Sequence, residues 1–453
     1  MTTTLGFRPA DSLHPDCPDW QRLGPTTADA GVRAMADVHE QREAERERVW
    51  SKGFTRRRVL AGGMGVGVAA VGSQLVTTRV AYGAGLSTGT LVVVFLRGGM
   101  DGLSMLVPIE DPTLLAARPG VAIRGGSLLG FDRGFGLHPA LAPLQRFVSG
   151  GQLAAVPAIS TPNLTRSHFQ AQDCLERGGA AGSGAQSGWL DRLLSVLGPG
   201  TTFRSIGGGA AAPRSLLGAG SPVMMRNLKS FAIEGTGSLD GATRTALEKL
   251  YTGLDHPMSR QSLLALTASD TVGKLNATEA KPTDRGYADT DWGKALAALG
   301  SLIRTGQGVR VATVDLGGWD MHTQMGSATS GDFFNMTSAL ANGLSAFMND
   351  LGPAAASTTV VVMSEFGRRV EQNASGGTDH GHGGVALVLG GGVRGGVKGR
   401  WDGFGTLDEG DVPGSNDYRD LLAEVCMKRF GLTPADMASV FPGWTPTAVG
   451  AMA

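Results

Sequence analysis

The stretch TLVVVFLRGGMDGLSMLVP, residues 90–108, runs apolar without alternation, breaks at two glycines and then presents Asp101. A half-buried strand alternates apolar and polar side chains; one covered on both faces has no need to, so this run predicts a strand of a parallel sheet. The same grammar recurs. LAAVPAI (153–159) leads into TPNLTRSHF, VRVATVDLGG (309–318) into WDMH, TTVVVMSEFG (358–367) carries Glu365 near its end, and VALVLGGG (385–392) follows GGTDHGHGG (376–384). Between them lie the helical patterns TDWGKALAALGSLIRT (290–305) and GDFFNMTSALANGLSAFMNDLG (331–352), the second stopped by a glycine. Strands alternating with helices predict an α/β fold, a largely parallel central sheet with helices on both faces.

The 453 residues, 42% hydrophobic, suffice for a sizeable core. Lysine plus arginine equal aspartate plus glutamate at 40 each, so no global charge argues for nucleic acid or an anionic membrane as partner. The 70 glycines fall in short clusters between apolar runs, which suits a loop-rich enzyme and excludes a collagen-like repeat.

Residues 1–54 read as a polar leader, disordered or helical, with the charge-dense EQREAERERVW at 40–50. Residues 55–84 read as a twin-arginine export signal: Arg56 and Arg57 stand directly before a weakly hydrophobic, glycine- and alanine-rich segment, and VAYGA offers small residues for cleavage. The apolar part falls short of the roughly 18 residues a spanning helix wants, so cleavage leaves no stable membrane span and places the protein in the cell envelope, periplasm or medium. Cys17 leaves with the leader, and Cys174 and Cys426 remain available for one disulfide. Residues 85–453 then form a single domain, with a loop-rich excursion at about 178–225 and a closing amphipathic helix in DYRDLLAEVCMKRFGLTP (417–434), whose apolar stripe is Leu421, Leu422, Val425 and Phe430.

In such sheets ligands gather beyond the carboxyl ends of the strands. Asp101, Asp320, His322 and Glu365 follow strand ends, and Asp379, His380 and His382 precede the last strand, so the seven form a candidate metal set. Each has a bland alternative: an Asp-Gly turn at Asp101, helix caps at Asp320 and His322, an Asx turn at Asp379. Ser167 stands at a helix start beside Arg166 and His168, so it reads as a nucleophile with Arg166 neutralising an anion; Thr165 is a second hydroxyl, and Ser167 to Gln170 also reads as a capping box.

FLRGGMDGLS, GGWDMH, SEFGRR, GTDHGHGG, the DYR of the closing helix and the late VFPG together resemble the bacterial exported family called domain of unknown function 1501. That family is similar to the alkaline phosphatase and sulfatase superfamily. The resemblance implies an alkaline phosphatase-like fold and hydrolysis of phosphate or related esters, sulfates or phosphodiesters, at one or two divalent metals (zinc, manganese, calcium or magnesium). It implies Asp101 on a second metal, Asp320 on a first, and His380 or His382 completing the first site. It departs from the superfamily at SEFG, where Glu365 and Phe366 replace an aspartate and a histidine, and at His322, two residues nearer to Asp320 than the usual spacing. The substrate it implies is a small anionic ester. The alternative is a non-catalytic envelope protein that binds a ligand or assembles with a second exported protein of unknown function.

Overall fold

The computed structural model describes residues 89–179, 186–209, 211–218, 220, 222–229, 240–253 and 257–453. The leader and export-signal readings fall outside the described residues, as does part of 178–225.

The strands are β1 (Thr90–Leu96), β2 (Leu106–Pro108), β3 (Leu129–Gly130), β4 (Phe135–Leu137), β5 (Leu153–Ser160), β6 (Ser205–Gly208), β7 (Val223–Met224), β8 (Val311–Leu316), β9 (Thr358–Met363), β10 (Arg368–Gln372), β11 (Thr378–His380), β12 (Gly384–Gly390), β13 (Gly396–Val397) and β14 (Asn416–Asp417). The main sheet has the order β13-β5-β12-β9-β1-β8-β6-β7, with β14 also on β5. All its pairings are parallel except those of β12, which runs against both β5 and β9. The fold is therefore α/β with a largely parallel sheet.

Helices that matter here are α1 (Gly102–Met105), α2 (His168–Arg177), α3 (Trp189–Leu197), α4 (Asp291–Arg304), α5 (Asp332–Asp350), α6 (Tyr418–Phe430) and α7 (Pro434–Val440). They cover both faces. In β1, Val92, Val94 and Leu96 join one hydrophobic cluster with Leu299 of α4 and Leu344 of α5. Leu91, Val93 and Phe95 join the other with Trp189 of α3 and Leu421 of α6. Burying a side chain of this size contributes about 2 kcal/mol, and the unbroken apolar run exists because both faces of β1 collect that stabilisation.

Within 178–225, where composition suggests loops and short strands, α3 packs its tryptophan and leucines into the core and β6 and β7 extend the sheet edge. The closing helix α6 is shorter than 417–434 and is buried on more than one stripe. Glu424 accepts backbone N–H groups from Val449, Gly450 and Met452, so residues 449–452 lie over this helix. Cys174 and Cys426, which the sequence leaves able to pair, are both buried free thiols. Among the described residues no helix is long and apolar enough to cross a membrane.

One edge of the sheet gathers the chemistry. The ends of β1 and β8 align at Leu96 and Leu316, Phe95 pairs with Met363 at the end of β9, and β12 starts at Gly384 opposite Ile159 near the end of β5. The β10–β11 hairpin sits over this edge, with Arg368 opposite His380. Two glycines of the histidine-bearing loop allow the close approach: a Cβ on Gly377 would lie 2.3 Å from the carbonyl carbon of His322, and one on Gly381 2.5 Å from that of Arg368.

Candidate functional site

Asp320, in the loop after β8, is the hub. Its Oδ1 lies 3.0 Å from His322 Nε2 and 3.0 Å from His380 Nε2, and its Oδ2 3.2 Å from His168 Nε2. His322 and His380 Nε2 are 2.9 Å apart. Three elements deliver these four groups: the loop after β8 brings Asp320 and His322, the hairpin brings His380, and the first turn of α2 brings His168.

Each imidazole is anchored through its other nitrogen. His168 Nδ1 meets Glu365 Oε1 at 2.8 Å, His322 Nδ1 meets Asp379 Oδ1 at 3.0 Å, and His380 Nδ1 meets the Arg166 carbonyl at 2.8 Å. A carbonyl and ionised carboxylates only accept, so each Nδ1 carries a proton and each Nε2 faces Asp320.

The anchors are themselves held. Glu365 is buried and accepts from Gln172 Nε2 (2.9 Å) and the Gly98 N–H (3.0 Å), while Arg97 donates to Gln172 Oε1 (2.9 Å) and so fixes that amide's orientation. Asn373 donates to Asp379 (3.0 Å) and to the His322 carbonyl (2.8 Å). The Arg166 guanidinium turns away to Asp411 (2.7 Å). Arg368, almost fully buried, donates to Asp320 Oδ1 (2.6 Å), the Thr378 carbonyl (2.8 Å) and the Gly99 carbonyl (2.5 Å).

These contacts set the charges. Burial would raise the Asp320 carboxyl pKa, but the three imidazoles and Arg368 hold it well below the usual carboxylate range. Burial likewise opposes ionisation of Glu365, and His168 and Gln172 overcome it, lowering the group to about 2. Burial pulls His168 down, yet Asp320 and Glu365 outweigh it and push the imidazole up to about 9. His322 is raised, first by its bond to Asp320 and against burial.

The donor set fits a divalent ion. His168, Asp320 and His380 offer ligand atoms all within 4.8 Å of one another, and His322 joins them through the contacts above. Bonds of about 2.0 Å in tetrahedral geometry put ligand atoms about 3.3 Å apart, close to the spacings seen here. Two contacts need a cation or proton in the cluster: facing lone pairs on His322 and His380 would repel at 2.9 Å, and the buried Nε2 of His168 stands 3.2 Å from a carboxylate oxygen of Asp320. Anchored Nδ1 atoms behind converging Nε2 atoms are the arrangement by which carboxylates and carbonyls orient metal-binding histidines.

The other candidates lie elsewhere. Asp101 caps α1 by accepting from the Ser104 N–H and is bound by buried Arg118 (2.9 Å each), with Thr378 Oγ1 on its second oxygen (3.0 Å). Its carboxyl is 3% exposed and stands apart from the histidines' ligand atoms. His382 faces Ser160 and the 408–414 loop; a Cβ on Gly414 would lie 2.7 Å from its Nε2. Glu365 and Asp379 touch imidazoles from behind. Ser167 caps α2 by backbone position only, since its side chain makes no capping bond and Gln170 instead receives Thr165 Oγ1 at 2.8 Å. Arg166 contributes its carbonyl to His380, with its charge matched by Asp411. Phe366 packs against the His168 and His380 rings at centroid distances of 4.9 and 4.8 Å.

His168 is the residue missing from the metal set read in the sequence. Its signal is its place after β5, at the start of α2, next to a serine whose hydroxyl is the more conspicuous chemical group. Arg368, Gln172 and Asn373 carry no such signal, because their roles arise from partners far away in the chain.

Among solved structures, the alkaline phosphatase from the Antarctic bacterium TAB5 is similar at 10% identity over 68% of this chain and 93% of that one, with a TM-score of 0.25. No curated protein matches the chain in sequence. The family described as "Protein of unknown function (DUF1501)" matches residues 153–438, and the chain belongs to that family.

Proposed function

We propose that the chain is a metal-dependent hydrolase of phosphate or related esters, exported by the twin-arginine route, with His168, His322, His380 and Asp320 holding one divalent ion. The observation that carries this reading is the convergence of three Nε2 atoms on one carboxylate, each imidazole fixed by an acceptor behind its Nδ1. A divalent ion bound there supplies Lewis acidity toward an ester oxygen and a more acidic water. The chain's own residues do the rest. Glu365, Asp379 and the Arg166 carbonyl keep the imidazoles in the binding tautomer. Arg368 holds Asp320 in place. Phe366 lines one side of the cluster with an apolar ring against His168 and His380. Ser167, between the residue that orients His380 and the residue that faces Asp320, offers a hydroxyl without a capping bond as the nucleophile.

A second reading, ligand or partner binding without turnover, is favoured by the two buried guanidinium groups: Arg118 already balances Asp101 and Arg368 already balances Asp320. Metal analysis of the purified mature protein, with turnover of aryl phosphates, phosphodiesters and aryl sulfates, separates the two. Bound divalent metal with turnover that His380→Ala removes supports hydrolysis. A chain that takes up no metal and is inert to the panel, yet co-purifies with a second envelope protein, supports binding alone.

A further inference from the structure

The arginines around the centre are already committed. Arg368 is on Asp320 (2.6 Å), Arg166 on Asp411 (2.7 Å), and Arg97 on both Asp315 (2.6 Å) and Glu176 (2.9 Å). With its histidines neutral, as ligation of a metal requires, the cluster and its anchors hold three carboxylates, Asp320, Glu365 and Asp379, against the single guanidinium of Arg368. The two surplus negative charges are those a divalent ion cancels. The loaded centre is thus formally neutral, and Arg97, outnumbered by its two carboxylates, adds no positive field. A doubly charged substrate would leave two negative charges unmatched, whereas a singly charged one leaves half that.

The segment that carries Arg166, Ser167 and His168 also carries two of the four large hydrophobic side chains exposed among the described residues. Leu164 is 66% and Phe169 83% exposed. Phe169 directly follows His168 on the first turn of α2, and Leu164 precedes Arg166 and Ser167 by two and three residues, so both exposed side chains stand on the segment that delivers His168 to the centre. Single exposed hydrophobics need no explanation, but a pair bracketing a convergent polar site is the composition of a ligand-binding rim.

We infer that the site takes a singly charged ester bearing an apolar substituent, with Phe169 and Leu164 contacting that substituent, in preference to a doubly charged monoester. This rests on the metal-hydrolase reading above. The test is calorimetric binding, without turnover, of phosphonates to the zinc-loaded full chain at roughly pH 8, where a phosphonate carries its second charge. Four probes suffice: phenylphosphonate, methylphosphonate and the monomethyl ester of each.

The phenylphosphonate monoester should bind roughly tenfold tighter than the doubly charged phenylphosphonate. It should also bind roughly tenfold tighter than its methyl counterpart, the ratio expected for partial burial of a ring. The double variant Phe169→Ala/Leu164→Ala, at exposed positions that leave the core intact, should shrink the phenyl-to-methyl ratio to within about twofold. Tighter binding of the dianion, or a phenyl preference that survives in the variant, overturns this inference and leaves the hydrolase reading standing. Zinc uptake with no binding of any phosphonate overturns both.

Discussion

Asp101 and Asp320 occupy the same place in the grammar of this chain. Each follows the end of a parallel strand, on neighbours β1 and β8, and the two loops touch: the Trp319 N–H donates to the Arg97 carbonyl, and a Cβ on Gly98 would lie 2.4 Å from the Asp320 nitrogen. Their surroundings differ completely. Asp101 is sealed in with Arg118 and the start of α1, and both its oxygens are engaged. Asp320 has a side chain 47% exposed and is ringed by three imidazoles. Position after a strand brings a carboxylate to the functional edge; its partner decides whether it holds the fold or holds a ligand.

The sharpest way to break this comparison is to neutralise each member. Asp320→Asn should weaken zinc binding by at least about a hundredfold, read by calorimetry, and leave the unfolding midpoint of the metal-free chain nearly unchanged. Asp101→Asn should do the reverse, lowering unfolding stability by about 3 kcal/mol, because Arg118 is left as an uncompensated buried charge, while zinc affinity of the folded fraction stays within about twofold. If Asp101→Asn instead abolished zinc binding with stability intact, the assigned roles would be exchanged.

Next in size are the anchors. Glu365→Gln should weaken zinc binding about thirtyfold and Asp379→Asn somewhat less, about tenfold, since Glu365 is buried with several donors and the Asp379 side chain is 57% exposed. The nitrogen-15 signals of His168 and His322 should each lose their fixed tautomer only in the variant of their own anchor. A uniform response of both histidines to either substitution would contradict separate anchoring.

The pH effect is smaller and has a definite sign. In the metal-free chain His168 is pushed up to about 9, so below that pH an incoming ion must displace its proton. Zinc affinity should rise roughly tenfold for each pH unit from neutrality and flatten above about 9, with proton release in calorimetry vanishing there. A flat profile between neutrality and that point would show that His168 does not bind.

Much of the fold is legible in 90–108 and its relatives. The unbroken apolar run of β1 feeds two cores by simple alternation, and β5, β8, β9 and β12 follow from the same pattern. The orientation of β12 is not legible, since a fully buried strand reads alike in both directions. In the site, Asp320 and His380 stand out by type and place. The choice between His380 and His382 does not: equal parity would put both on one side of a strand, but β11 ends at His380, and the bend at Gly381 sends His382 toward the 408–414 loop. Arg118 and Arg368 decide the chemistry of two carboxylates across 17 and 48 residues of sequence, and nothing local marks either.

The proposed function requires one ion on the Asp320 side of this edge. Anomalous diffraction at the zinc edge from crystals of the loaded mature protein tests it directly. One peak bound by His168, His380 and Asp320, with His322 beside them, is the predicted result; a peak at Asp101 or His382, or none, would contradict it.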